Sequence, residues 1–426
     1  MLRPIAGCWR LAAIAALASL SLAGSARGEQ AAPAPRAEST EESIAALAAE
    51  LASLRGIAAP GELDVVVAEP EEIRARISAL AERAERANRQ VRRDRAIARF
   101  GLPGGEPGEV PGEVPGESKD ELAYFDEQAG RLYVVRGAGD EPAVVREVAR
   151  AVLGRHVERD SIVAAARTRD AAAARWALWE GDAAAMALAR SMARGAGLAW
   201  GAPATETMLR GAGESRFQRG EAATSAYRAG LSFLAHHLRH QPWSRIDVMY
   251  QRPPRSTSHV LHPELYERYE RPRTIAAKGV GLDRFYRLVY DDVQGELELR
   301  NWLIANGVSA ERAARAARGW RGDRLAVYAP VSRLGGAWSD LGVLKTSWRT
   351  EIDAVEFFEA AARALASLAG GAPVASGGDR VEYRSPGGDH FTVERRGDAV
   401  VVLAGSLSSW QDDIRRAVWA WGSESP

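Results

Sequence analysis

From Ser39 onward, apolar residues recur at helical spacing or alternate at strand spacing over most of the chain. Ser39 and Glu42 have the spacing of a capping box, which opens an apolar-periodic helix through Leu54. Leu63 to Ala68 is β-branched and predicts a short strand. Pro70 then stands where a first-turn proline belongs, and a long charged helix follows towards Phe100. Leu122 to Phe125 and Arg131 to Val135 predict paired strands around a turn with Asp126 and Gly130. A helix over Pro142 to His156 has Val144, Val145, Val148, Ala149 and Val152 on one side, and another runs from Asp170 to Arg194 through Trp176, Leu178 and Met186. Helical spacing continues at Ala222–His240, Phe285–Asn306, Ala310–Arg318 and Thr350–Leu368. The period then changes: Arg380–Arg384, His390–Arg395 and Ala399–Ala404 predict strands, and Ser409–Trp421 a closing helix.

These elements predict an α+β protein, mainly helical. A small strand-helix segment occupies residues 41–100, and a small α+β unit occupies 371–426 after a main body at 118–370. Residues 101–117 repeat the phrase Gly-Glu-Val-Pro and read as a linker. At the start, Arg3 and Arg10 precede an apolar run from Leu11 to Ala23 and the small residues Gly24, Ser25 and Ala26. These are the three parts of a secretory signal peptide, read over residues 1–28 with an Ala/Pro tether at 29–40. The run is too short to span a bilayer comfortably. Export to the periplasm or the cell exterior is expected, with no transmembrane helix in the mature chain. The lone cysteine, Cys8, would leave with the peptide, so neither disulfides nor Cys-type zinc sites are expected. Hydrophobic residues are 46% and charged residues 26%, an ordinary globular balance. Lys plus Arg and Asp plus Glu cancel at 56 each, which argues against a nucleic-acid partner.

Two stretches on neighbouring predicted helices hold the candidate chemistry. The first contains Arg146-Glu147-Val148-Ala149-Arg150, and the second is Ala177-Leu178-Trp179-Glu180-Gly181-Asp182-Ala183. Together they resemble a family of bacterial and archaeal secreted, gluzincin-like zinc peptidases, in which one helix begins His-Glu-x-x-His-Ala-Leu and a later one carries Ala-Leu-x-Glu-Gly-Asp-Ala. Further matches are Pro253, Pro254, Ser256 and Thr257, then His262, Pro263 and Tyr266, with Ser258 where the family has glutamate. Gly295-Glu296 with Leu299, Trp302 and Leu303 looks like the family's Gly-Glu helix start. Gly319 to Arg324 matches its Gly-Trp-x-Gly-Asp-Arg turn, and Thr350, Asp353, Ala354 and Phe357 resemble the helix after it. The similarity covers roughly Ile44 to Leu368. It implies a zincin-like domain, with both histidine ligand positions occupied by arginine (Arg146, Arg150), the general-base position by Glu147 and the third ligand position by Glu180. Asp182, His262 and Tyr266 would line the cleft.

The chemistry of that site needs lone pairs. Histidines at i and i+4 share one helical face and one cation, a glutamate completes the set, and zinc activates a water that a second carboxylate deprotonates. A guanidinium offers donors only. The resemblance therefore implies a degenerate member without zinc or other cofactor, in which Glu147 has no activated water to serve. The expected function is an exported, catalytically inactive peptidase-like protein with a binding or structural role in the cell envelope, a peptide or envelope protein in the old groove being its natural partner. The alternatives are an active metal-dependent hydrolase using His236, His240 or His262, and a purely structural envelope protein. The two arginines need partners if buried, so Arg146 or Arg150 is expected to bridge to Glu180; otherwise both point into solvent. The triplet His236, His237 and His240 has ligand spacing but no acid within it, and Gly319 to Arg324 reads as a Trp-anchored turn in which Asp323 bonds nearby backbone. No phosphate-binding glycine loop or serine nucleophile elbow occurs.

Overall fold

The computed structural model describes residues 39–89, 99–102, 122–195, 199–200, 226–331, 339–405 and 411–424. The predicted signal peptide and nearly all of the tether and of the Gly-Glu-Val-Pro linker lie outside the described residues. Helix α1 (Thr40–Arg55) starts at the predicted capping box: the Ser39 hydroxyl accepts from the Glu42 amide, and the Glu42 carboxylate accepts from the Ser39 amide at 2.9 Å. Strand β1 (Asp64–Ala68) runs parallel to β3 (Arg131–Val135), which pairs antiparallel with β2 (Ala123–Asp126). Alternation along β3 sorts its side chains. Leu132 and Val134 join Ile44 and Leu51 of α1 and Val144 and Val148 of α3 (Pro142–His156), while Tyr133 meets Ile73 and Ile77 of α2 (Pro70–Arg89) on the other face.

After the short α4 (Arg159–Ala164), helix α5 (Arg169–Ala193) passes through the middle of the helical layer and packs against α1, α3 and α6 (Ala226–Leu238). Its alanines and one glycine allow that depth. A Cβ added at Gly230 of α6 would lie 1.8 Å from the Ala177 carbonyl oxygen, and one at Gly181 would lie 2.3 Å from the Gly230 carbonyl carbon. The two backbones therefore touch. Three short helices follow, α7 (Ser244–Gln251), α8 (Thr257–Leu261) and α9 (Pro263–Glu267), and lead to β4 (Thr274–Ile275).

The remaining chain is built around a seven-stranded antiparallel sheet. Its strands are β5 (Tyr286–Asp292), β6 (Trp320–Pro330), β7 (Leu341–Trp348), β8 (Ala375–Gly377), β9 (Arg380–Arg384), β10 (His390–Arg396) and β11 (Ala399–Gly405), in the order β5-β6-β7-β11-β10-β9-β8. Helices α10 (Gly295–Ala305), α11 (Ala310–Ala317) and α12 (Glu351–Ala369) contribute to the core on one face, where Trp302, Phe357, Trp320, Trp348, Val400 and Val402 meet. The opposite face buries Ala326, Tyr328, Val343, Val401 and Leu403 against Ile414 and Val418 of α13 (Gln411–Trp419). Strand β12 (Ser423–Glu424) pairs with β4.

This architecture corrects the expected fold class. The body is not a mainly helical, zincin-like domain followed by a separate small α+β unit, because the strands β9 to β11 complete the same large sheet that begins at β5. The helix expected over Phe285–Asn306 divides into β5 and α10, and the Trp-anchored turn at Gly319–Arg324 is instead the start of β6. The misreading of β6 has a physical cause. A strand buried on both faces loses the alternation that identifies it, as the burial of every residue of β7 shows. The touching helices offer a direct test. Gly230→Ala gains about 1 kcal/mol of helix propensity, but overpacking against Ala177 should produce a net loss of about 2 kcal/mol or more in urea unfolding. An unchanged midpoint would show that α5 and α6 are not in backbone contact.

Candidate functional site

The two motif helices meet at Arg150. Glu147 lies on the apolar side of α3 and Glu180 in the middle of α5, so each carboxylate is about 2% exposed. The Arg150 guanidinium reaches both: one Nη lies 2.6 Å from Glu180 Oε2, and the other 3.2 Å from Glu147 Oε1. Arg146 turns the other way along its helix. It donates from Nε to Glu147 Oε1 at 3.2 Å and remains partly exposed. The remaining oxygen of Glu147 accepts the Phe125 amide of β2 at 3.1 Å. Burial would raise the Glu147 carboxyl, but Arg150, Arg146 and the Phe125 amide together hold it below the ordinary carboxylate range. Two cations thus face two anions, with both oxygens of Glu147 engaged.

These donors do not fit a zinc ion. Arg150 presents N–H groups where an imidazole would present a lone pair, and it occupies the Glu180 oxygen that a metal would need. Among the described residues, no group of three or more His, Cys, Asp or Glu side chains is arranged to hold a metal. What the arrangement can do is join α3, α5 and β2 through one buried network.

The other expected site residues fall elsewhere. Asp182, two residues after Glu180 and so on nearly the opposite side of α5, forms a forked pair with Arg55 of α1: Nε to Oδ1 at 2.8 Å and Nη2 to Oδ2 at 3.1 Å, both side chains fully buried. Tyr250 donates to the same carboxylate at 3.1 Å, and Arg55 also reaches Asp247 at 2.7 Å. Tyr266 is buried and donates to the Arg252 carbonyl. His262 pairs with Glu296 through Nε2 at 2.7 Å. Neither His262 nor Tyr266 bonds to Arg150, Glu147 or Glu180. Of the histidine triplet, His236 and His240 are exposed, whereas His237 is buried edge-on to Phe233 and pulled down by burial to about 4. The three do not converge on one point.

A second buried polar centre, not anticipated from the sequence, joins the helical layer to the large sheet. Asp170 of α5 accepts the Thr257 amide at 2.8 Å and its hydroxyl at 2.6 Å. Asp323 of β6 accepts the amides of Gln294 and Gly295, each at 2.8 Å, and the Trp320 indole N–H at 2.9 Å. Gly295 is required there: its φ is +79°, and a Cβ would stand 1.8 Å from Asp170 Oδ1. Burial lifts the Asp170 carboxyl to about 8 against the Thr257 bonds, with Asp323 and Glu296 adding to the rise; burial lifts Asp323 to about 6. No local motif announces this centre, because its members lie on α5, α8, α10 and β6. Arg55 was equally hidden, since a cation in the last turn of a helix has an ordinary reading there.

Comparison with known families adds one match: a domain of unknown function, DUF8575, over residues 284–415. That interval starts just before β5 and ends within α13, so it takes in the large sheet and its covering helices but not the Arg150 network. No curated protein and no solved structure matches the chain.

Two outcomes are expected. Arg150→Met leaves two buried carboxylates facing each other and should cost about 3–5 kcal/mol at neutral pH. The folded Glu147 carboxyl lies below its ordinary value, so its share of stability is present above about pH 4.5 and lost as pH falls further. Acidification should therefore narrow the gap between parent and variant, and adding Glu180→Gln to Arg150→Met should recover part of the loss. Equal urea midpoints for parent and Arg150→Met at pH 7 would dismiss the clamp. For Asp170 the sign is opposite. Its folded value of about 8 lies above its ordinary 3.8, so the stability it contributes at low pH declines as pH rises from about 4 to about 8. Asp170→Asn should flatten the pH dependence of unfolding in that window by up to one proton, and an unchanged slope would show that Asp170 is ionised throughout.

Proposed function

We propose that this chain is an exported, non-catalytic relative of zinc peptidases with a binding or structural role in the cell envelope. In this reading Arg150 has taken the position, and the cross-linking task, of the metal. The observation that supports it is the 2.6 Å contact between Arg150 and Glu180, with Glu147 held by the same guanidinium. A general base needs a free lone pair directed at its water. Glu147 has both oxygens engaged and is held ionised by two arginines and an amide, so it is poorly suited to accept a proton. The likeness to the peptidases rests on the two motifs and on their meeting in space, not on the fold of the large sheet.

The histidines that an active hydrolase would use do not gather into a ligand set: His236 and His240 are exposed and do not converge with His262. His262 is tied to Glu296, and His237 is buried among aromatic rings. Export is supported by the N-terminal pattern of Arg3, Arg10 and the apolar run from Leu11 to Ala23. No helix among the described residues is long and apolar enough to cross a membrane.

Zinc uptake is the test. Purified parent protein should take up no stoichiometric zinc by calorimetry or metal analysis, and should cleave no peptide or casein substrate. The double variant Arg146→His/Arg150→His should gain one tight zinc site, because residues 146 and 150 are one helical turn apart and Glu180 is already in reach of the second. Near-stoichiometric zinc in the parent, removed by His262→Ala, would overturn the proposal.

A further inference from the structure

Where the chain leaves α9 for β4 it builds a cationic pocket that the Arg150 network does not touch. Tyr269 is the one non-glycine with positive φ among the described residues, at 51°. Its amide donates to the Tyr266 carbonyl at 2.8 Å and the next amide to Leu265 at 3.1 Å, so it ends α9 in the manner of a glycine at a cost of about 1–2 kcal/mol. That turn delivers Glu270 to a group of arginines. Arg349 Nη1 lies 2.8 Å from Glu270 Oε1, Arg321 contacts the same oxygen, and Arg268 is 3.9 Å from Oε2. Arg252 and Arg255 lie over the Tyr269 ring, 3.7 and 4.4 Å from its centroid. Arg252, Arg255 and Arg271 form no ion pair among the described residues, and the remaining acids of the segment, Glu264 and Glu267, are exposed. Three guanidinium groups therefore share the Glu270 carboxylate, with Arg252 and Arg255 on the neighbouring Tyr269 ring and Arg271 at the pocket wall.

Beside Glu270 is a narrow crevice of about 10 Å³, room for about one water, lined in part by Ser258, His259, Arg271, Arg321 and Arg349. A larger charged group enters only by displacing the Glu270 carboxylate from Arg321 and Arg349. The field within the crevice is positive: His259, buried at its wall, is pulled down to about 4 by burial and by Arg255, Arg349 and Arg252. The ring is fixed between the Glu270 carbonyl, 2.6 Å from Nε2, and the Arg255 amide, which donates to Nδ1 at 3.4 Å. Arg321 and Arg349 meet a single oxygen of Glu270, and a guanidinium has five N–H donors, so an arriving anion finds donors still available.

We propose that the arginines around Glu270 bind the oxyanion group, phosphate or carboxylate, of a small-molecule ligand, which displaces the Glu270 carboxylate from the same guanidinium surface. The proposal is independent of whether zinc binds at Arg150.

Calorimetry at low ionic strength with the full chain tests it, using inorganic phosphate and succinate as probes and chloride as the control. Saturable binding of at least one probe is expected, and the tighter of the two identifies the ligand's charged group. Arg349→Gln and Arg321→Gln should each weaken binding about tenfold, the loss of one charge-assisted hydrogen bond. Arg349→Lys keeps the charge without the fork and should also weaken it. Glu270→Gln should tighten binding, because it removes the competing carboxylate while leaving an acceptor for the arginines. Circular dichroism on each variant separates misfolding from lost affinity. Absence of saturable binding in both parent and Glu270→Gln, or affinities indifferent to Arg321 and Arg349, would overturn the site.

Discussion

Burying two carboxylates on facing helices is costly unless something between them supplies both charge and hydrogen bonds. Arg150 does this for Glu147 and Glu180, and much of the helical layer is arranged around that requirement. The deep position of α5, the inward side of α3 and the approach of β2 through the Phe125 amide all converge on this network. The forked pair of Arg55 with Asp182, 127 residues apart in sequence, repeats the solution on nearly the opposite side of α5 and ties in α1. Two guanidinium groups thus fasten three helices to one central helix at points where apolar packing alone would leave acids without partners.

The large sheet relies on apolar burial instead, and the two layers meet through a third kind of contact. At the Asp170 and Asp323 centre, carboxyl oxygens satisfy backbone amides at the start of α8 and α10. Those amides would otherwise be buried without a strand or helix partner. Burial raises the Asp170 and Asp323 carboxyls, which have no ion-pair partner among the described residues, while Arg150, Arg146 and the Phe125 amide outweigh burial at Glu147. Burial is common to both centres.

The sequence showed those parts whose signals are local. The capping box at Ser39, the hairpin around Gly130, the valine side of α3 and the closing strands all needed only a few consecutive residues to be seen. The meeting of the two motif helices was also legible, because a resemblance in order and spacing supplied the long-range link that periodicity cannot. What escaped was set by tertiary context. The strands β6 and β7 are buried on both faces and show no alternation, so their pairing with each other, that of β7 with β11 and the size of the sheet were lost. Gly295 looked like a helix start, and only the packed structure shows that Asp170 fills the space of its missing side chain. Ion pairs such as Arg190 with Glu50 and Asp140 bridge distant segments that composition cannot connect.

The choice between the two cations follows the same geometry. The chain has only three lysines, and Lys345 on β7 is buried. Its ammonium donates to three carbonyls at the end of α13, those of Val418 and Trp419 at 3.1 Å and of Trp421 at 2.7 Å. Burial draws it down to about 8, with Arg396 adding to the fall. A helix C-terminus presents single oxygens around an axis, which a compact ammonium with three donors can satisfy. Carboxylates present paired oxygens in a plane, and at those positions the chain uses the planar fork of arginine. The abundance of arginine can follow from codon usage, but its placement at Arg55 and Arg150 matches what a buried carboxylate requires, and lysine could not fill either place with the same contacts.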